Sequence, residues 1–185
     1  MPPQRVVAVA IVVAIVPLLA VLVRETPLRA TREGAGLAGV ATTIRLRFPD
    51  VPQTSTAELA AWLADGSREA PQLLDVREPE EYAVSHLRGA VRVDPDASAA
   101  EVLARIDPRR PVVAYCSVGY RSSVLVQRLR DAGFTQAANL EGSIFAWANE
   151  GRPLEGAEGA VSVVHPYDAT YGQLLLPERR AQSSA

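Results

Sequence analysis

Pro111-Val112-Val113-Ala114-Tyr115-Cys116-Ser117-Val118-Gly119-Tyr120-Arg121-Ser122 decides how this chain folds. Val112 to Tyr115 is apolar on both faces, the pattern of a strand buried inside a parallel sheet. A tight loop follows, and from Ser122 to Ala132 the period changes to that of an amphipathic helix. That helix carries Val124, Leu125, Val126 and Leu129 and is closed by Gly133. In a strand, loop and helix start of this kind, loop amides converge above the sheet edge. The helix N-terminus adds unpaired N–H groups and the positive end of its dipole, so the whole is an anion cradle. Cys116 opens that loop.

Outward from the loop, the same alternation continues. Ser55-Thr56-Ala57-Glu58 is a capping box that opens a helix carrying Leu59, Trp62 and Leu63 and stopped by Gly66. Leu73 to Val76 reads as a buried strand, and Pro79 to Ser85 as a helix with proline in its first turn. Ala90 to Val93 predicts a strand, Ser98 to Ile106 a helix, Ala137 to Leu140 a strand and Ser143 to Asn149 a helix. Short apolar strands alternating with helices predict an α/β fold, a parallel sheet flanked by helices on both faces. No internal repeat is evident.

The ends read differently. Val6 to Val23 is an uncharged apolar run between Arg5 and Arg24. At ~1.5 Å per residue it spans about 27 Å, the thickness of a bilayer core. It ends in Val-Leu-Val-Arg, without the small residues of a cleavage site, so an N-terminal membrane anchor over 1–24 is the expectation, a signal peptide the alternative. Arg24, Arg29 and Arg32 on its C-terminal side favour a single-pass protein with its domain facing the cytoplasm, an extracytoplasmic domain being the alternative. Residues 25–54 predict a glycine-containing linker and an extended arm, in which Ile44, Leu46 and Phe48 alternate with Thr43, Arg45 and Arg47. A folded domain over 55–155 follows. The tail, 156–185, predicts irregular structure: a strap over an apolar face or, alternatively, a segment bringing His165 or Tyr167 to Cys116.

Composition narrows the function. A net charge of −2 over 185 residues supplies no general field for nucleic acid, so none is expected as a partner. One cysteine excludes an internal disulfide and a multi-thiolate zinc site, and two histidines make a poor case for a metal; none is expected. Cys116 itself sits where loop amides, the helix start, Gly119 and the fixed charge of Arg121 would favour a thiolate over a thiol and would equally hold an oxyanion or a persulfide.

Four segments together resemble the rhodanese family. They are Leu73-Leu74-Asp75-Val76-Arg77-Glu78-Pro79-Glu80-Glu81-Tyr82, His86-Leu87-Arg88-Gly89-Ala90, the loop Cys116 to Ser122, and Gly133-Phe134 leading to Asn139-Leu140-Glu141-Gly142 and Trp147. The resemblance covers roughly Ser55 to Pro153. It implies a doubly wound single-domain sulfurtransferase with Cys116 as nucleophile and no cofactor. A small anionic donor such as thiosulfate would leave its outer sulfur on Cys116, and cyanide or a thiol would collect it. Ser117, Val118, Gly119, Tyr120, Arg121 and Ser122 would cradle the donor and the persulfide. Asp75 and Arg77 look like the family's pair beside the first strand; both would brace the loop, with Arg77 also helping to hold the donor, and a local salt bridge with neighbours such as Glu78 is the alternative. Glu81, Tyr82 and His86 match a structural signature. Arg88 stands where proline is frequent, and Ser143 where a second glycine is frequent. The related cysteine phosphatases carry Cys-x5-Arg, whereas Cys116 to Arg121 is Cys-x4-Arg, a tighter cradle suited to sulfur. A non-enzymatic partner-binding or persulfide-sensing module at the membrane is the remaining alternative.

Overall fold

The computed structural model describes residues 26–182, with side chains from residue 36 onward; the predicted span over Val6 to Val23 lies outside them. Among the described residues no helix is long and apolar enough to cross a membrane. The chain from Glu33 onward forms one compact unit. Its centre is a five-stranded sheet, parallel throughout: β1 (Gln53–Thr54), β2 (Gln72–Asp75), β3 (Val91–Arg92), β4 (Val112–Tyr115) and β5 (Ala137–Leu140), in the order β1-β5-β4-β2-β3. Val112, Val113, Ala114 and Tyr115 are all buried, as the unalternating pattern requires of a central strand.

The helices between strands follow from their caps. The predicted box forms at α2 (Thr56–Ala64): Glu58 N donates to Ser55 Oγ at 3.1 Å while Ser55 N donates to the Glu58 carboxylate at 2.8 Å. The remaining helices are α3 (Pro79–Val84), α4 (Ala99–Leu103), α5 (Tyr120–Asp131) and α6 (Ser143–Asn149). α4 packs with α5 and α2 with α6, so the sheet is flanked by helices as the alternation predicts.

Two flanking segments differ from expectation. The linker and extended arm are instead one helix, α1 (Thr26–Arg47). Its glycines argue against a helix on propensity, but Leu37, Ala41, Ile44 and Phe48 recur at helical spacing and are all buried against the domain. Leu46, counted into the alternation, is 79 % exposed. Tertiary burial of one stripe outweighs the local signal. The tail is likewise not irregular throughout. β6 (Leu154–Gly156) and β7 (Gly159–Val161) form an antiparallel hairpin, followed by 3-10 turns at Tyr171–Leu174 and Pro177–Arg179. Val164 and Leu175 are fully buried, so this segment does strap an apolar face. His86 pins the hairpin to the domain through a pair of backbone hydrogen bonds with Glu155.

Candidate functional site

β4 is the middle strand, so the loop after Tyr115 rises from the centre of the sheet's C-terminal edge. Gly119 takes φ 114, a conformation that favours glycine, and its N–H donates to Cys116 Sγ at 3.1 Å. A side chain at Gly119 would also press on Asn139 Nδ2 at 3.2 Å. The loop's backbone is tied down from two helices. Ser123 Oγ in α5 donates to the Gly119 carbonyl at 2.7 Å. From the start of α6, Ile144 N and Phe145 N donate to the carbonyls of Cys116 and Ser117. Cys116 is buried, 2 % exposed, at the floor of a cavity of about 130 Å³ bordered by Ser117, Val118, Tyr120, Arg121, Tyr167 and Tyr171.

Arg121 is not a free cation over that cavity. Its Nη1 and Nη2 donate to the two oxygens of Glu81 at 2.7 and 2.9 Å, and Nη2 also reaches Ser117 Oγ at 3.0 Å. Ser117 Oγ in turn donates to Glu81 at 2.7 Å. Burial opposes the guanidinium's charge, but the hydrogen-bonded Glu81 and the neighbouring Cys116 outweigh it, and the Arg121 pKa is raised. Burial likewise opposes the charge of Glu81, yet Arg121 and Ser117 hold its carboxyl below the ordinary value.

The sequence-predicted residues divide into two groups. Ser117, Val118, Tyr120 and Arg121 border the cavity with Cys116, and Gly119 supplies the donor to sulfur. Ser122 and Arg77 do not border the cavity. Ser122 is fully buried and donates to Asn139 Oδ1 at 2.6 Å. Arg77 is fully buried and donates to both oxygens of Asp75, at 2.8 and 2.6 Å, and to the Ser85 carbonyl at 2.6 Å. With Nε and Nη2 engaged inside the core it braces the chain and does not border the cavity. Asp75, buried with it, is a brace beneath the loop: its strand neighbour is Tyr115, the residue before Cys116.

Several contributors were not read from the sequence. Glu81, taken as a structural signature, is the carboxylate that orients Arg121 from 40 residues away. Ser143, standing where glycine is frequent, adopts φ 52, and its Oγ accepts from Cys116 N at 3.2 Å. The positive φ accounts for a preference for glycine there. Tyr167, the less favoured reading of the tail, does lie at the cavity with Tyr171, while His165 does not border it. From α1, Phe48 meets the ring of Tyr120 edge-on at 5.3 Å between centroids.

The family described as rhodanese-like domain matches residues 55–150. The chain belongs to that family. It is 37% identical over 97 residues to a probable adenylyltransferase/sulfurtransferase, MoeZ, of Mycobacterium tuberculosis, covering 52% of this chain and 24% of that protein. It therefore spans about a quarter of that relative's length. It is 33% identical over 109 residues to a sulfurtransferase of Allochromatium vinosum, covering 59% of this chain and 99% of the relative. Among solved structures it resembles the rhodanese-like domain of an Anabaena protein, with 28% identity and a TM-score of 0.52 over 57% of this chain and 79% of that one. Both of these curated relatives carry sulfurtransferase in their names, the first as a probable adenylyltransferase/sulfurtransferase.

Proposed function

We propose that this protein moves a sulfane sulfur through a persulfide on Cys116. The observation that carries the reading is the Gly119 N–H, 3.1 Å from Cys116 Sγ at the floor of a cavity that opens beside Arg121. The Cys116 thiolate attacks the outer sulfur of the donor. With thiosulfate, the donor's S–S bond breaks, sulfite leaves with the electron pair, and Cys116 carries the new S–S bond. Cyanide or a thiolate then attacks the outer persulfide sulfur and restores the thiolate. The Gly119 amide aimed at the sulfur stabilises charge without reorganising, because the carbonyls of the same loop are already held by α5 and α6.

The test is intact mass after incubation with thiosulfate. A gain of one sulfur, cleared by cyanide and absent in Cys116→Ser, supports the reading. A folded, reduced protein that gains none, with thiosulfate and with organic sulfane donors alike, overturns it in favour of a partner-binding or persulfide-sensing module.

We also propose that Val6 to Val23 anchors the domain at a membrane, on its cytoplasmic side. Support comes from the uncharged run and from Arg24, Arg29 and Arg32 beyond it. Release of the full chain from membranes by alkaline carbonate would refute the anchor.

A further inference from the structure

Two tyrosines border the cavity from outside the family match, which ends at residue 150. Tyr167 and Tyr171 meet edge-on, 5.5 Å between centroids, and the Arg121 guanidinium carbon lies 5.1 Å from the Tyr167 ring centre. They are built into place. Leu175 and Val164 are fully buried on either side of them. Asn149 clamps the segment from α6, its amide donating to the Leu174 carbonyl at 2.8 Å and its oxygen accepting from Leu176 N at 2.9 Å. Asp168 accepts from Thr170 N and Tyr171 N at 2.8 and 2.7 Å, which fixes the turn between the rings. Tyr167 itself is held at φ 66, a conformation side chains rarely adopt, so its placement is set by the surrounding structure.

The charge at the same cavity is largely balanced. Arg121 is the one cation among the described residues that line it, and both of its outer nitrogens already serve Glu81. A compact inorganic dianion finds little unpaired positive charge there, whereas a carbon substituent finds two ring surfaces. We propose that Tyr167 and Tyr171 are specificity-determining residues that receive the organic group of a donor R–S–S⁻ or R–SO2–S⁻, selecting organic sulfane donors over inorganic thiosulfate. This rests on Cys116 as the sulfur-accepting nucleophile. The step is balanced: the Cys116 thiolate bonds to the outer sulfur, the donor's bond to that sulfur breaks, and RS⁻ or RSO2⁻ leaves with the electron pair.

The experiment uses the full chain and two donors that differ by one substituent, thiosulfate and benzenethiosulfonate, in which a phenyl replaces an anionic oxygen. The ratio of their kcat/KM values is measured in the wild type and in Tyr167→Ala, Tyr171→Ala and Tyr167→Phe, so that intrinsic donor reactivity cancels. Each alanine variant is expected to lower the preference for the phenyl donor about fivefold, mainly through KM, the size of one lost ring contact. Tyr167→Phe, which keeps the ring, retains it. Alanine variants that still accept sulfur with a ratio within about twofold of wild type overturn the specificity role alone. A folded wild type that takes sulfur from neither donor overturns the transferase reading and this inference with it.

Discussion

Two arginines in this molecule fork onto carboxylates in nearly the same way and do different work. Arg77 holds Asp75 with both side chains fully buried. Arg121 holds Glu81 with the carboxylate sealed, 2 % exposed, and the guanidinium 20 % exposed at the cavity. In the first pair, Asp75 outweighs a desolvation that on its own would lower the Arg77 pKa, and the charge is internal to the core. In the second, the same chemistry is pushed to the protein's edge, where one face of the guanidinium still meets Cys116 and Tyr167. Burial separates a structural ion pair from one that shapes a site.

That contrast breaks most sharply at Asp75. Asp75→Ala strands a buried guanidinium, and unfolding free energy by urea titration is expected to fall by about 3–5 kcal/mol. A loss under about 1 kcal/mol would mean the Arg77 pair is no more than a surface bridge in its energetics. Glu81→Gln is the milder change, because Arg121 can turn toward water; about 2 kcal/mol is expected, discounted for that exposure. Its signature is chemical as well: Arg121 loses its orienting carboxylate, and sulfur loading of Cys116 slows more than in a variant of equal stability elsewhere. A loading rate that tracks stability alone would put Glu81 back among purely structural residues.

The smallest effect is in pH. Glu81 has its folded pKa held below the ordinary 4.5, so its contribution is complete above that value and is lost as pH falls through the depressed one. The stability gap between wild type and Glu81→Gln should therefore be constant above about pH 5.5 and close on acidification below about 4.5. A gap that widens in acid would assign the depressed titration to another group.

Between Ser55 and Asn149 the elements set by local pattern were legible in the sequence, unlike the helix before them and the hairpin after. The unalternating apolar strands, the capping box at Ser55, and the change of period after Cys116 each depend on neighbours within a few residues, and each formed as read. Cys116, Gly119 and the first-turn Arg121 were legible for the same reason. Pairings across long separations came from packing instead. Glu81 carries no mark that it will meet Arg121, and Ser143 reads as a departure until its hydroxyl is seen against the Cys116 amide. Arg77 was placed at the donor by its likeness to the family's pair; in the folded chain it is buried, with Nε and Nη2 on Asp75 and the Ser85 carbonyl. Ile44 and Phe48 alternate as a strand would, and they also fit a helix. Short apolar runs satisfy both periods, and only the surface that buries them chooses between the two. The wall made by Tyr167 and Tyr171 arises the same way, from a tail whose buried Val164 and Leu175 dock it across the domain, an outcome of packing that no local pattern encodes.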